Sequence, residues 1–402
     1  MQNGSVKNHN ATSVLVNLSS VPKYESVVDA AGAIPIFVQM LHSNDSNETV
    51  HAALAIANLT ADVSVRDSIG HAGAIPPLAR LVKYGGDEEK SQATAALIDL
   101  AVERHLRSQI SRENCIPSLV ELVRSGTDLQ QERAAHLLQN LALSSANEAK
   151  IGEAGAIGPL LRMVKNGNDV HKEKATRALV NLSHNAENKR VITKSDGIAR
   201  LAKLLLDGNQ VHKEYTMAIL WNLVTMKNVE TLYQIVNAST IPLLAQLAQH
   251  GSTPRQCDEA RRTMVQFSIA CLEHPAVDMD VIPALVAVVG GQSSPARSSA
   301  AAALANLSYQ DKSAYIPVIL ESGGVHVLIK LLRDENPGDE RECGIIALVN
   351  LSNYTEAKTA IVDAGGLAAL SGLSQVGTER EQDFAQCALS KMITNSKFHL
   401  QY

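Results

Sequence analysis

At 402 residues, 45% of them apolar, the chain is longer than one globular core normally grows, yet no Pro/Gly/Ser-rich linker divides it. The formal charge of −5 excludes a generally basic nucleic-acid binder, so no nucleic-acid partner is expected. No apolar run approaches the ~18 residues that a membrane span requires, which argues against membrane insertion.

Residues 1–20 hold a single helix, from about Lys7 to Leu18, without the helices that precede its later copies. The chain thus starts mid-unit, as a partial first repeat. An apolar face left without a capping repeat is a candidate for end-to-end self-association.

From Val21 a full unit appears. A short amphipathic segment, Tyr24 to Ala30, leads to a Gly32-Ala33 break and a helix opened by Pro35 that runs to about Leu41. A polar loop and a longer helix ending at Leu59 complete it. The same order returns as Gly73-Ala74-Ile75-Pro76-Pro77-Leu78, Cys115-Ile116-Pro117-Ser118-Leu119 and Gly155-Ala156-Ile157-Gly158-Pro159-Leu160. Weaker versions stand at Gly197-Ile198, Ile241-Pro242, Ile282-Pro283, Gly323-Gly324-Val325 and Gly365-Gly366-Leu367. Glycine permits the sharp turn after the first helix, and proline suits the first turn of the second. Pro275 disfavours a first helix in the unit from about Ile269 to Leu307 and predicts a kink there.

One polar residue near the end of each long helix marks the repeat: Asn17, Asn58, Asp99, Asn140, Asn181, Asn222, Gln266, Asn306, Asn350 and Lys391. The intervals are 41, 41, 41, 41, 41, 44, 40, 44 and 41 residues, the signature of a solenoid. The chain therefore reads as one domain over 1–402, with about nine full repeats from 21 to 394. Two residues before the marker runs a column of Leu, Ile or Met; six before it runs a column with nothing larger than threonine, from Ala11 to Ala385. Small residues there imply that another helix crosses at close range.

Asparagine is a mediocre residue inside a helix, yet seven of the ten markers are Asn. Its amide both donates and accepts, so it can hold the N–H and C=O of an extended segment whatever that segment's side chains. The alternative is that it satisfies backbone groups nearby. Asp99, Gln266 and Lys391 interrupt the row. Four residues earlier, on the same helical face, lie Arg177 and Arg262; Glu173 and Asp258 stand four residues before these, as Glu132 does before His136, at ion-pairing distance along a helix. The candidate peptide-binding residues are Asn58, Asn140, Asn181, Asn222, Asn306 and Asn350, with Arg177, Arg262 and Trp221 beside them.

The period, the three helices, the Gly-Ala-Ile-Pro-x-Leu turn and the Ala-Leu-x-Asn-Leu helix end together resemble the armadillo repeat over essentially the whole chain. The resemblance implies an all-α, right-handed superhelical solenoid with three helices per ~41-residue repeat, whose third helices line a concave groove for an extended peptide. Importin-α resembles this fold but carries a tryptophan row four residues before the marker that is missing here. The Leu220-Trp221-Asn222-Leu223 run is closer to β-catenin-like scaffolds. In such proteins basic first-helix positions, here Arg66, Arg107, Lys189, Arg190 and Lys358, hold acidic stretches of the partner; solvated surface charge is the other reading.

No HExxH, Walker loop, GxSxG elbow or CxxC pair is present, so neither an enzyme nor a cofactor or metal site is expected. His171 and His212, 41 apart, read as loop residues of adjacent repeats. The five cysteines read as reduced thiols, which places the chain in the cytoplasm or between cytoplasm and nucleus. The Asn-x-Ser/Thr sequons read as by-products of the repeat. The function expected is a protein-interaction scaffold binding extended segments. The alternatives are the substrate-binding region of a ubiquitin-ligase assembly and an importin-α-like cargo carrier.

Overall fold

The computed structural model describes residues 14, 16–19, 21, 25–226, 228–271, 281–291, 294–309, 314–334 and 339–393. Among them the regular structure is entirely helical. Most of the first marker helix and the position of the Pro275 kink lie outside the described residues.

The chain divides into two compact units, Met1–Ser195 and Asp196–Tyr402. The first contains four three-helix sets: Glu25–Ala30, Ala33–Met40 and Ser46–Leu59; Val63–His71, Ile75–Tyr84 and Asp87–Leu100; Arg104–Arg112, Ile116–Ser125 and Asp128–Leu141; Ser145–Glu153, Ile157–Asn166 and Asp169–Leu182. The helix Ala186–Lys194 follows. The second unit opens with Gly197–Asp207 and Gln210–Val224 and continues through Val229–Asn237, Thr240–His250 and Pro254–Cys271 to the set Thr355–Asp363, Gly366–Val376 and Glu379–Ile393.

The turn between first and second helices requires the left-handed backbone region. Gly32, Gly73, Gly155, Gly323 and Gly365 sit there at φ between 72° and 79°. Where glycine is missing, Asn114, Asp196 and Ser239 adopt φ of 52°, 57° and 53°, so the geometry belongs to the repeat and glycine only makes it cheap.

Ile56, Leu97, Leu138 and Leu179 are fully buried, as are Ala52, Ala93, Ala134 and Ala175. The small column does mark a close approach, and Gly344 shows to what. A Cβ there would meet Leu331 and Leu332 at 3.1 Å, on the second helix of its own repeat. The column therefore seats the third helix on the second within a repeat. Contact between repeats is made mainly by third helix against third helix, and that packing has a polar component at each end.

Candidate functional site

At the C-terminal ends of four third helices the marker reaches back to the preceding third helix. Asn140 Nδ2 donates to the Ile98 carbonyl at 2.9 Å, Asn181 Nδ2 to Gln139 at 2.9 Å, and Asn350 Nδ2 to Ala305 at 3.1 Å. Lys391 has no amide, yet its Nζ donates to Val349 at 3.3 Å. In each case the acceptor is the residue before the previous marker. Such carbonyls lie in the last helical turn, where no N–H of the same helix remains for them.

A hydroxyl two residues after the marker serves the same carbonyl. Thr60 donates to Ala57 at 2.8 Å, Ser183 to Val180 at 2.6 Å, Ser308 to Ala305 at 3.0 Å and Ser352 to Val349 at 2.7 Å. The sequon-like pattern at these four markers is thus a helix-end device: its Ser or Thr is a buried cap.

Asp99 breaks the pattern chemically, since a carboxylate cannot donate to Ala57. Its Oδ2 lies 3.3 Å from the Thr60 hydroxyl, whose single proton is claimed by the shorter contact to Ala57. Burial lifts the Asp99 carboxyl above its ordinary range, against the opposing pull of Arg66 and Thr60.

A second row of attachments runs along the N-terminal ends, ten residues before each marker. Gln130 Nε2 donates to the Asp87 carbonyl at 3.0 Å, His171 Nε2 lies 2.9 Å from the Asp128 carbonyl, and Gln256 Nε2 donates to Gln210 at 3.1 Å. Glu89 accepts from Thr49, and Glu381 takes Arg341 in a bidentate pair of 2.5 and 2.9 Å. The same residues cap their own helices: Thr127 N–H donates to Gln130 Oε1 at 2.9 Å and Thr378 N–H to Glu381 Oε2 at 2.8 Å. His171 and His212 therefore lie inside third helices, buried, and not in loops. The sequence carried this signal as a column of Glu, Gln, His, His, Gln, Glu and Glu at positions 89, 130, 171, 212, 256, 340 and 381.

Two of the first-helix basic residues, Arg66 and Arg107, have a different role from either one expected. Arg66 Nε donates to the Thr60 carbonyl at 2.8 Å and Arg107 Nη1 to Ala101 at 3.0 Å, both at the end of the preceding third helix. Asn147 and Asn188 do the same for Leu141 and Leu182, at 2.9 and 3.1 Å. A cation at a helix C-terminus also meets the negative end of its dipole. Arg190 pairs with Glu187 at 2.7 Å.

The candidate residues separate by accessibility. Asn350, Asn306 and Asn140 are 0%, 3% and 5% exposed; Asn306 Oδ1 has no hydrogen-bond partner among the described residues. Asn222 is buried, Trp221 half-buried and Arg262 exposed. Asp258 pairs with Arg261 and not with Arg262. Asn58 and Asn181 are half-buried.

Arg177 pairs with Glu173 at 3.0 Å as the spacing foretold, both side chains about one-third exposed. Next to them His136 is pushed down to about 4, first by burial and then by the cations of Lys174 and Arg177, with Glu173 opposing. It is a neutral imidazole at pH 7.

One face of the helices Asp128–Leu141 and Asp169–Leu182 stays open. Leu129 and Val170 are 47% and 43% exposed; below them at helical spacing come Glu132 and His136 on one helix and Glu173, Arg177 and Asn181 on the next, all half-buried. The matching row of the second unit is closed where Ala302 and Ile346 are each 3% exposed. Among the described residues no group of three or more His, Cys, Asp or Glu converges as a metal would need, and no single helix is long and apolar enough to cross a membrane.

These features define the armadillo-repeat fold, and comparison with known proteins agrees. Residues 34–196 match the family described as Armadillo-like. An engineered protein solved by the Northeast Structural Genomics Consortium superposes with a TM-score of 0.74 at 26% identity, over 96% of this chain and 95% of that one. A designed armadillo repeat protein solved in complex with the peptide (KR)4 gives 0.53 at 21% identity, over 58% of this chain and 99% of its own. In sequence, the splicing regulator ARVCF of Homo sapiens is 35% identical over 100 residues, 24% of this chain and 10% of that protein. The mouse ARVCF is 34% identical over the same length. The chain thus spans about a tenth of the length of these curated relatives.

Proposed function

We propose that the chain is a non-catalytic interaction scaffold and that the open third-helix face of its first unit holds an extended segment of a partner protein. The observation that carries this reading is the uncovered row from Leu129 to His136 and from Val170 to Asn181, which mixes apolar, charged and amide groups. Asn181 spends one amide proton on Gln139. A primary amide has a second proton and an acceptor oxygen, which suit the backbone of a strand laid across the helices. The complex of a designed relative with (KR)4 is in keeping with such use of the fold. We place this activity in the cytoplasm or between cytoplasm and nucleus, in line with the reading of the cysteines as reduced thiols.

The test is a selection of twelve-residue peptides from a random phage library against the intact chain, counted against an Arg177→Ala/Asn181→Ala variant. Enrichment on the wild type that is lost on the variant supports the face. Peptides that bind both equally place recognition elsewhere.

A further inference from the structure

We propose, resting on the reading just given, that the bound segment carries a cationic side chain opposite Asp99 and an acidic one opposite Lys174 and Arg177, six residues apart. Along the third helices of the first unit a carboxylate at one marker position, Asp99, is followed two repeats on by two cations, Lys174 and Arg177. Among the described residues the half-buried Asp99 carboxylate has no ion pair and only the long contact to Thr60. Arg66, the cation acting on it, is turned away to Glu103 at 3.3 Å and to the Thr60 carbonyl at 2.8 Å. Ala95, one turn earlier on the same face, is small and half-buried and leaves room above the carboxylate. A desolvated carboxylate without a cation is an unfavourable element of a fold unless something else pairs with it.

Two repeats further on, the sign reverses. Lys174 makes no hydrogen bond or ion pair among the described residues, and Arg177 shares one carboxylate, Glu173. His136 between the two repeats contributes no positive charge, because burial and these cations hold it neutral. On the helix Asp169–Leu182 the Lys174 ammonium is thus left to meet an incoming anion.

The spacing follows from packing geometry. Neighbouring helices pack about 8–10 Å apart, so Asp99 and Arg177, two helices apart, are separated by roughly 16–20 Å across the face. An extended chain advances about 3.3 Å per residue with alternate side chains on opposite sides. Six residues fit the span, and an even number puts both charged side chains toward the protein.

The experiment uses fluorescein-labelled twelve-residue peptides of alanine and serine with arginine at the third position and glutamate at the ninth, titrated into the intact chain by anisotropy and by NMR. Controls replace the arginine by norleucine, the glutamate by glutamine, or move the glutamate to the eighth position. The parent peptide is expected to bind about tenfold tighter than each control. Asp99→Asn should remove the advantage of the arginine alone, and Lys174→Gln that of the glutamate alone, with both variants checked for folding by thermal unfolding. If all peptides bind equally and Asn181→Ala weakens them all, the charge assignment is wrong while the face stands. If none binds at millimolar concentration, both readings fail.

Discussion

The Lys391 ammonium donates to the Val349 carbonyl at 3.3 Å, in the place where Asn140 donates to Ile98 and Asn181 to Gln139. A residue so different in charge and length takes over the asparagine's contact because what the repeat requires there is a donor. Burial pushes the Lys391 amine down, with Lys358 acting the same way and Cys387 opposing. The first use of the marker is therefore to join one third helix to the next, and ligand binding must draw on what that use leaves over.

Asn140 and Asn181 should consequently respond differently to alanine. Asn140 is buried, and its loss strands the Ile98 carbonyl. A stability loss of about 1 kcal/mol is expected in urea unfolding, since an unsatisfied buried carbonyl costs ~1–3 kcal/mol and alanine's better helix propensity returns about 0.5. Asn181 is half-buried; its replacement should cost less stability and more affinity for peptide. Equal effects of the two on melting would contradict the division of roles.

Asp99→Asn should stabilise the fold, by about 0.5–1 kcal/mol at neutral pH, because an amide can donate to Ala57 and carries no charge to desolvate. The pH dependence has a definite sign. The folded Asp99 carboxyl is raised, so its contribution to stability is fully present below the unfolded value and is lost as pH rises through the folded one. The advantage of the variant should therefore shrink toward acid pH. A variant weaker in peptide binding yet more stable would fit the familiar exchange of stability for function.

His171→Ala should destabilise by about 2 kcal/mol, from the lost contact to Asp128 and the space left in a buried site, whereas His171→Gln, which copies Gln130, should retain most of the stability. Thermal melts of both variants decide it. A glutamine variant as weak as alanine would show that the imidazole's shape, not its hydrogen bond, is needed.

Arg341→Ala leaves Glu381 buried without its bidentate partner and should cost about 3–5 kcal/mol. Hydrogen bonding to Arg341 holds the Glu381 carboxyl below its ordinary range, with burial opposing. Its stabilisation is thus present above the unfolded value and lost as pH falls through the lowered one. The difference between wild type and variant should narrow on acidification.

The repeat, its helices and its turn were legible because they rest on apolar spacing and on glycine, which a single chain displays many times over. Ser239 and Asp196 show the limit: the turn is kept without its glycine, and only the register of the repeat points to them. The Glu173–Arg177 pair was legible because it is local. The pairing of Asp258 with Arg261 was not, as three and four residues are equally close on a helix. The polar row at the N-terminal ends was not legible for another reason. Glu, Gln and His at one position look like variation until their shared ability to bond the neighbouring helix is seen. Likewise Asn306, Asn350 and Asn140 carry the same letter as Asn181, and burial alone distinguishes them.

The central claim is that the open third-helix face of the first unit holds an extended segment. Hydrogen–deuterium exchange of the intact chain, with and without a peptide selected from the phage library, tests it most directly. Added protection is predicted in Asp128–Leu141 and Asp169–Leu182, with the helices Ser294–Leu307 and Asp339–Leu351 unchanged. Protection confined to the first and second helices, or to the second unit, would contradict the account.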